Sequence, residues 1–563
     1  GIRTTWGLFE SLGIAKPQDL DIQYHLDYYA DRGPAGGIDA KYGGGFITDT
    51  TKQPWNFQGD LESYFVSDHG EDRLGHERRH VEPEDEFRYH VLWQHQHFFP
   101  EDWQLQLRAG LISDPTFLEE WFQKEFNDGL PHDLSAYLKR QRQTEALTLL
   151  VQAQPNDFVT TADQLQEQFE VEHLPEVGYY RIGDSVLDDK VTFFSANTFS
   201  GLHFKQSSAS YTELGFRAGQ DPFPANLPAG FPSEGQTGVT DDTTYRGDFR
   251  QEVDFPFSAG QFKFLPYAFG RYTPYSDSPS GDAQNRLFLG TGVRVTTAFW
   301  RVDDSARSDL FDIHRVRHVI EPELHLFTST SNKDRDDLFN YEEQVDAIND
   351  VSAVQLALHQ RWQTKRGGAG QWRSTDFFTL NVEGNFFANQ PREEDLVPTV
   401  FRSLFFPSLP EASVPRNGIN ADALWRMSDT TAVLSDMYMN LDEFTLATSS
   451  IGIAVQRDTR MAYFLGLRYI GELNSTIASA VLNYDLSAKY AIRISESVNL
   501  STQQNQDTSI SVVRRFDKFF MVFTVFHDQV NDDSGFRFAI FPEGFAYGLS
   551  TDQFQQYIGS GQR

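Results

Sequence analysis

Apolar and polar residues alternate with a period of two along almost the whole of this 563-residue chain. In residues 87–93 the odd-numbered side chains are aromatic or aliphatic, while the even-numbered ones include Arg88 and His90. The same alternation returns in residues 103–111, after a turn at 100–102. This pattern predicts antiparallel strands that have one apolar and one polar face.

The alternation recurs without a linker or a change in composition, which predicts a single domain over residues 1–563. One strand and its connection take about 20 residues, so we expect roughly 24–28 strands. Short turns alternate with long polar connections, as in a membrane barrel. We predict long loops at four places: 219–243, 302–311, 330–349 and 388–416. The predicted fold is all-β, a large antiparallel transmembrane β-barrel with its apolar face toward lipid.

Composition excludes several other classes of protein. The net charge of −32 excludes a basic surface for nucleic acid. No run of residues is long and apolar enough for a transmembrane helix. The absence of cysteine excludes disulfides and thiolate metal sites. Aromatic residues reach 14%, which is typical of a barrel with aromatic girdles at the two membrane interfaces.

We predict no catalytic residues, no cofactor and no metal site. His76 and His80 lie four apart in a charged stretch that reads as a solvated loop. His90, His95 and His97 read as part of a polar, lumen-facing strip. The exception to the strand pattern is residues 115–127, where apolar residues recur at helical spacing and predict a short helix.

Several short motifs resemble, in order and spacing, those of the LptD family of lipopolysaccharide-assembly proteins, also called organic solvent tolerance proteins. The residues that carry the resemblance are distributed over 32–361. They are Arg32, Gly33, Leu174, Pro175, Glu176, Arg246, Pro266, Arg271, Arg317, His318, Glu321, Pro322, Asp346 and Asn349.

The resemblance implies a barrel of about 26 strands in the bacterial outer membrane. Proteins of this family insert lipopolysaccharide into the outer leaflet through a lateral gate between the first and last strands. The implied partners are lipopolysaccharide, outer-membrane lipid, an LptE-like plug lipoprotein and a periplasmic bridge of LptA-like folds. The family's N-terminal periplasmic jellyroll, which contacts that bridge, has no counterpart in the sequence.

Candidate gate residues follow from the chemistry of a weak seam. Proline cannot donate a hydrogen bond to a sheet, so Pro17 and Pro34, which flank the first strong strand at 20–29, are candidates for loosening it. They are also interpretable as ordinary turn prolines. The other candidate gate residues are Tyr24, Asp27 and Phe538.

Other functions remain open from the sequence. A porin or solute transporter would have a constriction formed by an inward loop, for which 219–243 is the candidate. A barrel-embedded hydrolase would gather Ser, His and an acid on one rim, without a local sequence signature. A soluble β-rich protein is the last alternative.

Overall fold

The computed structural model describes most of the chain. The described residues are 1–47, 54–75, 78–83, 85–157, 169–206, 214–215, 242–368, 370–388, 397–401, 415–458, 460–529 and 533–542.

Fifteen strands lie in the first half of the described chain. They are β1 (Thr5–Gly7), β2 (Leu20–Tyr29), β3 (Gly33–Ile47), β4 (Pro54–Ser67), β5 (Asp72–Arg73), β6 (Arg79–Val81), β7 (Phe87–Phe99), β8 (Trp103–Ile112), β9 (Leu134–Arg142), β10 (Glu145–Ala153), β11 (Phe169–Val186), β12 (Val191–Gln206), β13 (Thr244–Asp254), β14 (Phe257–Ala259) and β15 (Phe262–Tyr275).

Fourteen more follow in the second half. They are β16 (Gln284–Thr296), β17 (Phe299–Ser308), β18 (Ile313–Ser331), β19 (Ser352–Arg366), β20 (Arg373–Phe387), β21 (Gly418–Arg426), β22 (Thr431–Asn440), β23 (Thr445–Asp458), β24 (Met461–Ile470), β25 (Ser475–Asp485), β26 (Tyr490–Asn499), β27 (Gln504–Arg515), β28 (Phe519–Asp528) and β29 (Asp533–Pro542).

The helices of the described residues are short. They are α1 (Leu8–Leu12), α2 (Phe117–Trp121), α3 (Gln123–Asp128) and α4 (Glu343–Asp346), with single 3₁₀ turns at Arg335–Asp337 and Thr399–Phe401. Within the described residues, no helix has both the length and the apolar character needed to cross a membrane.

In the described chain, 27 of the strands belong to one antiparallel sheet, and β5 and β6 form a separate pair. Most strands pair with the next strand along the chain, as β2 does with β3 and β28 does with β29. This order is supplemented at β14 and β17, because β13 also pairs with β15, and β16 with β18. The predicted fold class is confirmed: the chain is all-β, with the up-and-down antiparallel order of barrel-forming proteins and a strand number close to 26.

The described chain divides into two compact units, and each is described by itself. The first comprises Gly1–Phe255, Tyr267–Gly290 and Thr330–Ile348, and it contains all four α-helices. The second comprises Pro256–Pro266, Thr291–Ser329 and Asn349–Arg563, and its later part is a regular series of hairpins from β19 to β29.

The first unit has a polar buried face and an apolar exposed face. Along β16, Arg286 is 0% exposed, whereas the next residue, Leu287, is 45% exposed. In β13, Arg246 is likewise fully buried, and its neighbour Tyr245 is exposed. The alternation of the strand therefore places charge inside and hydrocarbon outside, the reverse of a soluble core.

The second unit has the same inverted polarity. Val512 and Phe523 are cross-strand neighbours on β27 and β28, and both are exposed. On the opposite face, the hydroxyls of Ser511 and Thr524 are buried and lie 2.7 Å apart. Among the described residues, the largest fully buried side chains are four arginines: Arg88, Arg246, Arg286 and Arg366.

The sequence-based boundaries differ from the structure at several points. Residues 302–308, predicted as part of a loop, belong to β17. The predicted helix at 115–127 exists as α2 and α3, which are separated at Phe122. The strand at 20–29 is preceded by β1, which pairs with it. The predicted loop 219–243 lies outside the described residues apart from 242–243, as does much of 388–416.

The inverted polarity predicts opposite effects of a charge on the two faces. Leu465 of β24 is exposed beside Ala480, while Ser479 lies on the other face opposite Gly466. In a bilayer, we expect Leu465→Arg to lower the free energy of unfolding by about 2–4 kcal/mol, because an arginine on a lipid face is poorly solvated. The matched control, Ser479→Arg, is expected to have little effect. Equal losses in urea unfolding from lipid vesicles would contradict the assignment of faces.

Candidate functional site

A connection of the first unit folds back onto the polar face of its sheet. We call residues 332–348, which follow β18 and contain α4, the docked segment. Its contacts reach strands β12, β13, β15 and β16. The docked segment lies over side chains that point to the buried face of the sheet, because alternate residues of a strand point to opposite faces.

Asp346 is the centre of these contacts and is almost fully buried. Its carboxylate accepts a hydrogen bond from Arg246 at 2.8 Å and from the hydroxyl of Tyr275 at 2.7 Å. It also accepts the backbone N–H groups of Tyr341 at 3.0 Å and Glu342 at 2.8 Å. Four donors therefore converge on this one buried carboxylate.

Three arginines from three strands hold the segment, and we call Arg246, Arg271 and Arg286 the arginine cradle. Arg246 also donates to Glu342 at 2.6 Å. Arg271 donates to the carbonyl of Gln344 at 2.7 Å. Arg286 donates to the carbonyl of Asp346 at 3.1 Å and to that of Val345. The guanidinium groups therefore satisfy backbone carbonyls at the end of α4.

Charges in the cradle are balanced. Arg246 pairs with Asp346 and Glu342, and Arg271 lies 3.2 Å from Asp248. Buried charges are tolerated only when each is paired and hydrogen-bonded, because the loss of hydration is otherwise uncompensated. These ion pairs, with the carbonyls that accept from Arg271 and Arg286, explain how the three arginines can be buried on this face.

Aromatic packing adds to the polar contacts of the docked segment. The ring of Tyr341 stacks on Phe204 of β12, with centroids 4.2 Å apart and planes within 15°. Leu202 and Phe339 complete this buried cluster. The hydroxyl of Tyr341 donates to Thr244 at 2.7 Å, so the ring is both packed and hydrogen-bonded.

Glu176 of the Leu174–Glu176 motif lies at the margin of this site. Its carboxylate accepts a hydrogen bond from Ser200 at 2.8 Å and is 3.2 Å from Nδ1 of His173. The preceding Leu174–Pro175 peptide bond is cis. The carboxylate of Glu176 therefore lies between Ser200 and His173. A serine nucleophile is activated by a histidine that contacts its hydroxyl directly, and this arrangement differs from that one.

A second buried charge cluster lies near the N-terminal strands. Arg32 and Arg88 face four carboxylates, and we call these six residues the four-carboxylate cluster; the acids are Asp68, Asp72, Asp114 and Glu120. Arg88 is fully buried and donates to Asp72 at 2.7 Å and to Asp114 at 2.8 Å. Arg32 donates to Asp72 at 2.9 Å and to Glu120 at 2.5 Å.

Partial burial changes the titration of Glu120, which lies in α2 outside the strands. Burial raises the pKa of Glu120 from 4.5 to about 7, although Arg32 and the backbone N–H of Arg73 act in the opposite direction. Loss of hydration is therefore the main cause, the nearby Asp72 carboxylate adds to it, and Glu120 holds its proton toward neutral pH.

Gly33 follows Arg32 and has a role that only glycine can fill. Its φ is +125°, a conformation that residues with a side chain rarely adopt, and an added Cβ would lie 2.3 Å from the carbonyl oxygen of Ser67. The Arg32-Gly33 motif thus combines two roles. Arg32 contributes a charge to the cluster, and Gly33 allows the backbone of β3 to approach the backbone at Ser67 closely.

The remaining motif residues belong to the second unit. Arg317 is exposed and lies over the ring of Trp300 at 5.7 Å. His318 stacks on Trp362, with centroids 4.2 Å apart. Glu321 pairs with Arg361 across the β18–β19 ladder at 3.3 Å. These are contacts within the sheet, and they do not gather into a pocket.

Two prolines of the motifs and Asn349 complete that set. Pro322 is paired opposite Leu358 in the ladder between β18 and β19. Pro266 lies in β15 between Phe264, which pairs with β14, and Tyr267, which pairs with β13. Proline suits this gap between two ladders, because it has no N–H to donate. Asn349 is buried just beyond the docked segment.

The candidate gate residues lie on or beside the terminal strands. Tyr24 pairs opposite Trp6 of β1, and Asp27 accepts hydrogen bonds from the backbone of Thr4 and the hydroxyl of Tyr64, each at 2.8 Å. Phe538 of β29 is exposed.

The two candidate prolines lie in different settings. Pro17 is exposed in the coil before β2. Pro34 lies inside the sheet, opposite Tyr28, at the second position of β3. That position is at the start of a strand, where proline is tolerated.

The sequence missed most of the residues that form the two buried sites. Of the cradle, Arg246 and Arg271 were singled out by the resemblance, whereas Arg286 and Glu342 were not. Of the four-carboxylate cluster, only Arg32 was singled out. A usable signal was present for Arg88, because a lone arginine on the polar face of an otherwise aromatic strand needs a carboxylate partner.

Comparisons with known proteins give no family assignment. No protein-family model matches the sequence, and no curated protein matches it. Among solved structures, a mutant of the Rh. blastica porin is 10% identical, with a TM-score of 0.20 over 55% of this chain and 94% of the porin. The siderophore receptor PirA from Pseudomonas aeruginosa is 7% identical, with a TM-score of 0.32 over 94% of this chain and 80% of the receptor. Similarities this low carry no argument about function.

Removal of one arginine of the cradle should release the docked segment. We expect Arg246→Met to lower the free energy of unfolding by about 3–5 kcal/mol, because the buried carboxylate of Asp346 loses its cationic partner. Backbone hydrogen exchange in residues 339–346 should accelerate in the variant. The matched control is Arg317→Met, which removes an exposed arginine and should cost less than about 1 kcal/mol. Unchanged exchange in 339–346 would contradict the proposed role of Arg246.

Glu120 should make stability depend on pH. A raised pKa means that, between pH 4.5 and about 7, the folded state binds the proton more tightly than the unfolded chain. The free energy of unfolding should therefore fall as the pH rises through that window.

We expect Glu120→Gln to flatten this dependence and to stabilise the protein at pH 8 relative to the wild type. Urea unfolding from pH 5 to pH 8 measures both effects. The control is Glu10→Gln, at an exposed glutamate of α1, and it should retain the slope of the wild type. A Glu120→Gln slope equal to that of the wild type would refute the assignment.

Proposed function

We propose that this chain is a β-barrel of the bacterial outer membrane that inserts lipopolysaccharide into the outer leaflet through a lateral gate between its first and last strands. In this proposal the apolar face of the sheet contacts lipid, and the polar face lines the path of the sugar chain. An LptE-like lipoprotein is the proposed plug, and a periplasmic bridge of LptA-like folds is the proposed donor of lipid.

The inverted polarity of the sheet supports the membrane part of the proposal. Rows of exposed side chains such as Val525, Phe536 and Ile540 would be unfavourable in water, at about 25 cal/mol for each Å² of apolar surface. The same rows are stable against hydrocarbon, where a sheet is tolerated only if every backbone group is hydrogen-bonded.

One observation carries the lateral gate: β1 is only three residues long. It covers the outer edge of β2, a strand of ten residues, through pairs centred on Trp6 and Tyr24 and an isolated bridge between Ile2 and Tyr28. Short edge strands pair weakly and are easily displaced. A gate requires such a weak ladder at a terminal strand, and β2 also carries the candidate gate residues Tyr24 and Asp27.

The motif residues offer a second line of support. Glu176, Arg246, Arg271 and Asp346 were selected only by the resemblance, and they are separated by up to 170 residues in the sequence. In the fold Asp346 belongs to the docked segment, and Arg246 and Arg271 donate hydrogen bonds to that segment. A carboxylate oxygen of Glu176 lies within 4.8 Å of one of Glu342. These four motif residues thus belong to one site, which is the behaviour expected of residues that maintain a shared architecture.

A porin is the second candidate, and the docked segment is the observation that favours it. A connection folded onto the polar face could narrow a channel, and its accessible acidic residues Glu342 and Glu343 would favour cations. The sequence had placed such a constriction at 219–243, and the docked segment lies elsewhere.

Photo-crosslinking in cells separates the two candidates. A photoreactive phenylalanine analogue is placed at Tyr24, Asp27 or Phe538 in the full-length protein, and adducts are detected by blotting for lipopolysaccharide. The matched control is Leu356 of β19, which is apolar and as exposed as Phe538 but distant from both terminal strands in the sequence.

The translocon proposal expects lipopolysaccharide adducts at the terminal strands and few or none at Leu356. Equal yields at all positions would indicate passive contact with the outer leaflet, as for any barrel. No adducts at the terminal strands, together with ion conductance by the purified protein that changes on mutation of Glu342, would favour the porin.

A further inference from the structure

Two histidines and a glutamate meet in the first unit at a place that the proposed function does not use. His90 comes from β7, Glu125 from α3, and His132 from the stretch that precedes β9. We propose that these three side chains form a binding site for one divalent transition-metal ion, with Zn²⁺ as the ion that suits them best.

The distances fit a single ion. Nε2 of His90 lies 2.9 Å from Nε2 of His132. Oε2 of Glu125 lies 3.6 Å from the first of these nitrogens and 3.7 Å from the second. The point equidistant from three atoms with these separations is about 2.0 Å from each of them, which is the bond length of zinc to imidazole nitrogen and carboxylate oxygen.

Hydrogen bonds around the site prepare His132 as a ligand. Its Nδ1 lies 2.8 Å from the carbonyl of Leu130, so that nitrogen carries the proton and Nε2 presents a lone pair. A backbone carbonyl on the second ring nitrogen is the usual arrangement for a metal-binding histidine. The carbonyl of His132 accepts a hydrogen bond from Asn156 at 2.6 Å, which fixes the backbone.

The atoms that face one another lack other partners. Oε2 of Glu125 is buried, and within the described residues no donor hydrogen-bonds to it. His90 and His132 are at most 4% exposed at their side chains. A cation at the centre would satisfy two imidazole nitrogens and a carboxylate oxygen at once, whereas a hydrogen bond between the two rings leaves the carboxylate without a donor.

Packing brings the three elements this close. Gly110 of β8 lies directly against His132, and an added Cβ would be 2.6 Å from the Cα of that histidine. The ring of Phe122, at the junction of α2 and α3, lies 4.9 Å from the ring of His90. An ion here would clamp α3 and the stretch before β9 onto β7, and would add its binding free energy to the stability of the fold.

The ligand set selects the class of metal. Imidazoles favour zinc, copper, nickel and iron over calcium and magnesium, which prefer oxygen ligands. Three protein ligands leave one position of a zinc tetrahedron for water. This inference is independent of the lipid-transport proposal, because it requires only the local fold of residues 87–133.

The test is a titration of the purified full-length protein in detergent, after treatment with a chelator, with Zn²⁺ as the probe. We expect one ion per chain and a dissociation constant below about 1 μM. Glu125→Gln and His132→Ala should each weaken binding at least about tenfold. The control is His97→Ala, which removes a histidine of the same strand that lies outside the cluster and should leave binding unchanged.

Absence of saturable binding would overturn the proposal, as would an equal loss of binding in His97→Ala. Because substitutions at buried positions can prevent folding, the wild type loaded with Co²⁺ gives a second readout. A tetrahedral absorption spectrum of Co²⁺ that Zn²⁺ displaces supports the site. The pale octahedral spectrum of hydrated Co²⁺ contradicts it.

Discussion

The structure depends on pairing of arginine with carboxylate on the buried face of its sheet. Strand alternation forces every second residue onto that face, and in this chain many of those residues are charged. Charge can be buried only if each guanidinium finds carboxylates or backbone carbonyls that accept its hydrogen bonds. Arg246 with Asp346, and Arg88 with Asp72 and Asp114, meet that condition, and the docked segment and the helices α2 and α3 are positioned by these pairs.

The apolar face follows from the same constraint. Since charged and polar residues occupy much of the buried face, many leucines, valines and aromatic residues face outward, such as Leu287 and Leu289 of β16 and Phe523 and Val525 of β28. Only an apolar solvent makes this arrangement favourable over so many strands. The short β1 then gives the sheet a weak terminal ladder, and the proposed route for lipid begins at that ladder. The zinc site that we infer lies apart from that ladder, between β7 and α3, and would add a local clamp.

The strands could be predicted well from the sequence, because apolar and polar residues alternate with a period of two in the strands, as at 87–93 and 103–111. The prediction failed at 302–308, where Asp303 and Asp304 resemble a turn but lie in an exposed strand. The sites were less accessible, because Arg246 and Asp346 are 100 residues apart and no spacing rule connects them. The resemblance supplied both, but it supplied neither Arg286 nor Asp72, since the identity of a partner on the polar face depends on tertiary register rather than on local pattern.

The most direct test of the account is the environment of alternate residues along one strand in a lipid bilayer. Because the chain has no cysteine, single cysteines at Tyr463, Phe464, Leu465, Gly466 and Leu467 of β24 can each carry a fluorophore, which is then quenched either by a lipid-bound or by a water-soluble quencher. The account predicts that Tyr463, Leu465 and Leu467 are quenched from lipid, and Phe464 and Gly466 from water. Quenching that does not alternate, or water quenching at Leu465, would contradict a lipid-facing sheet.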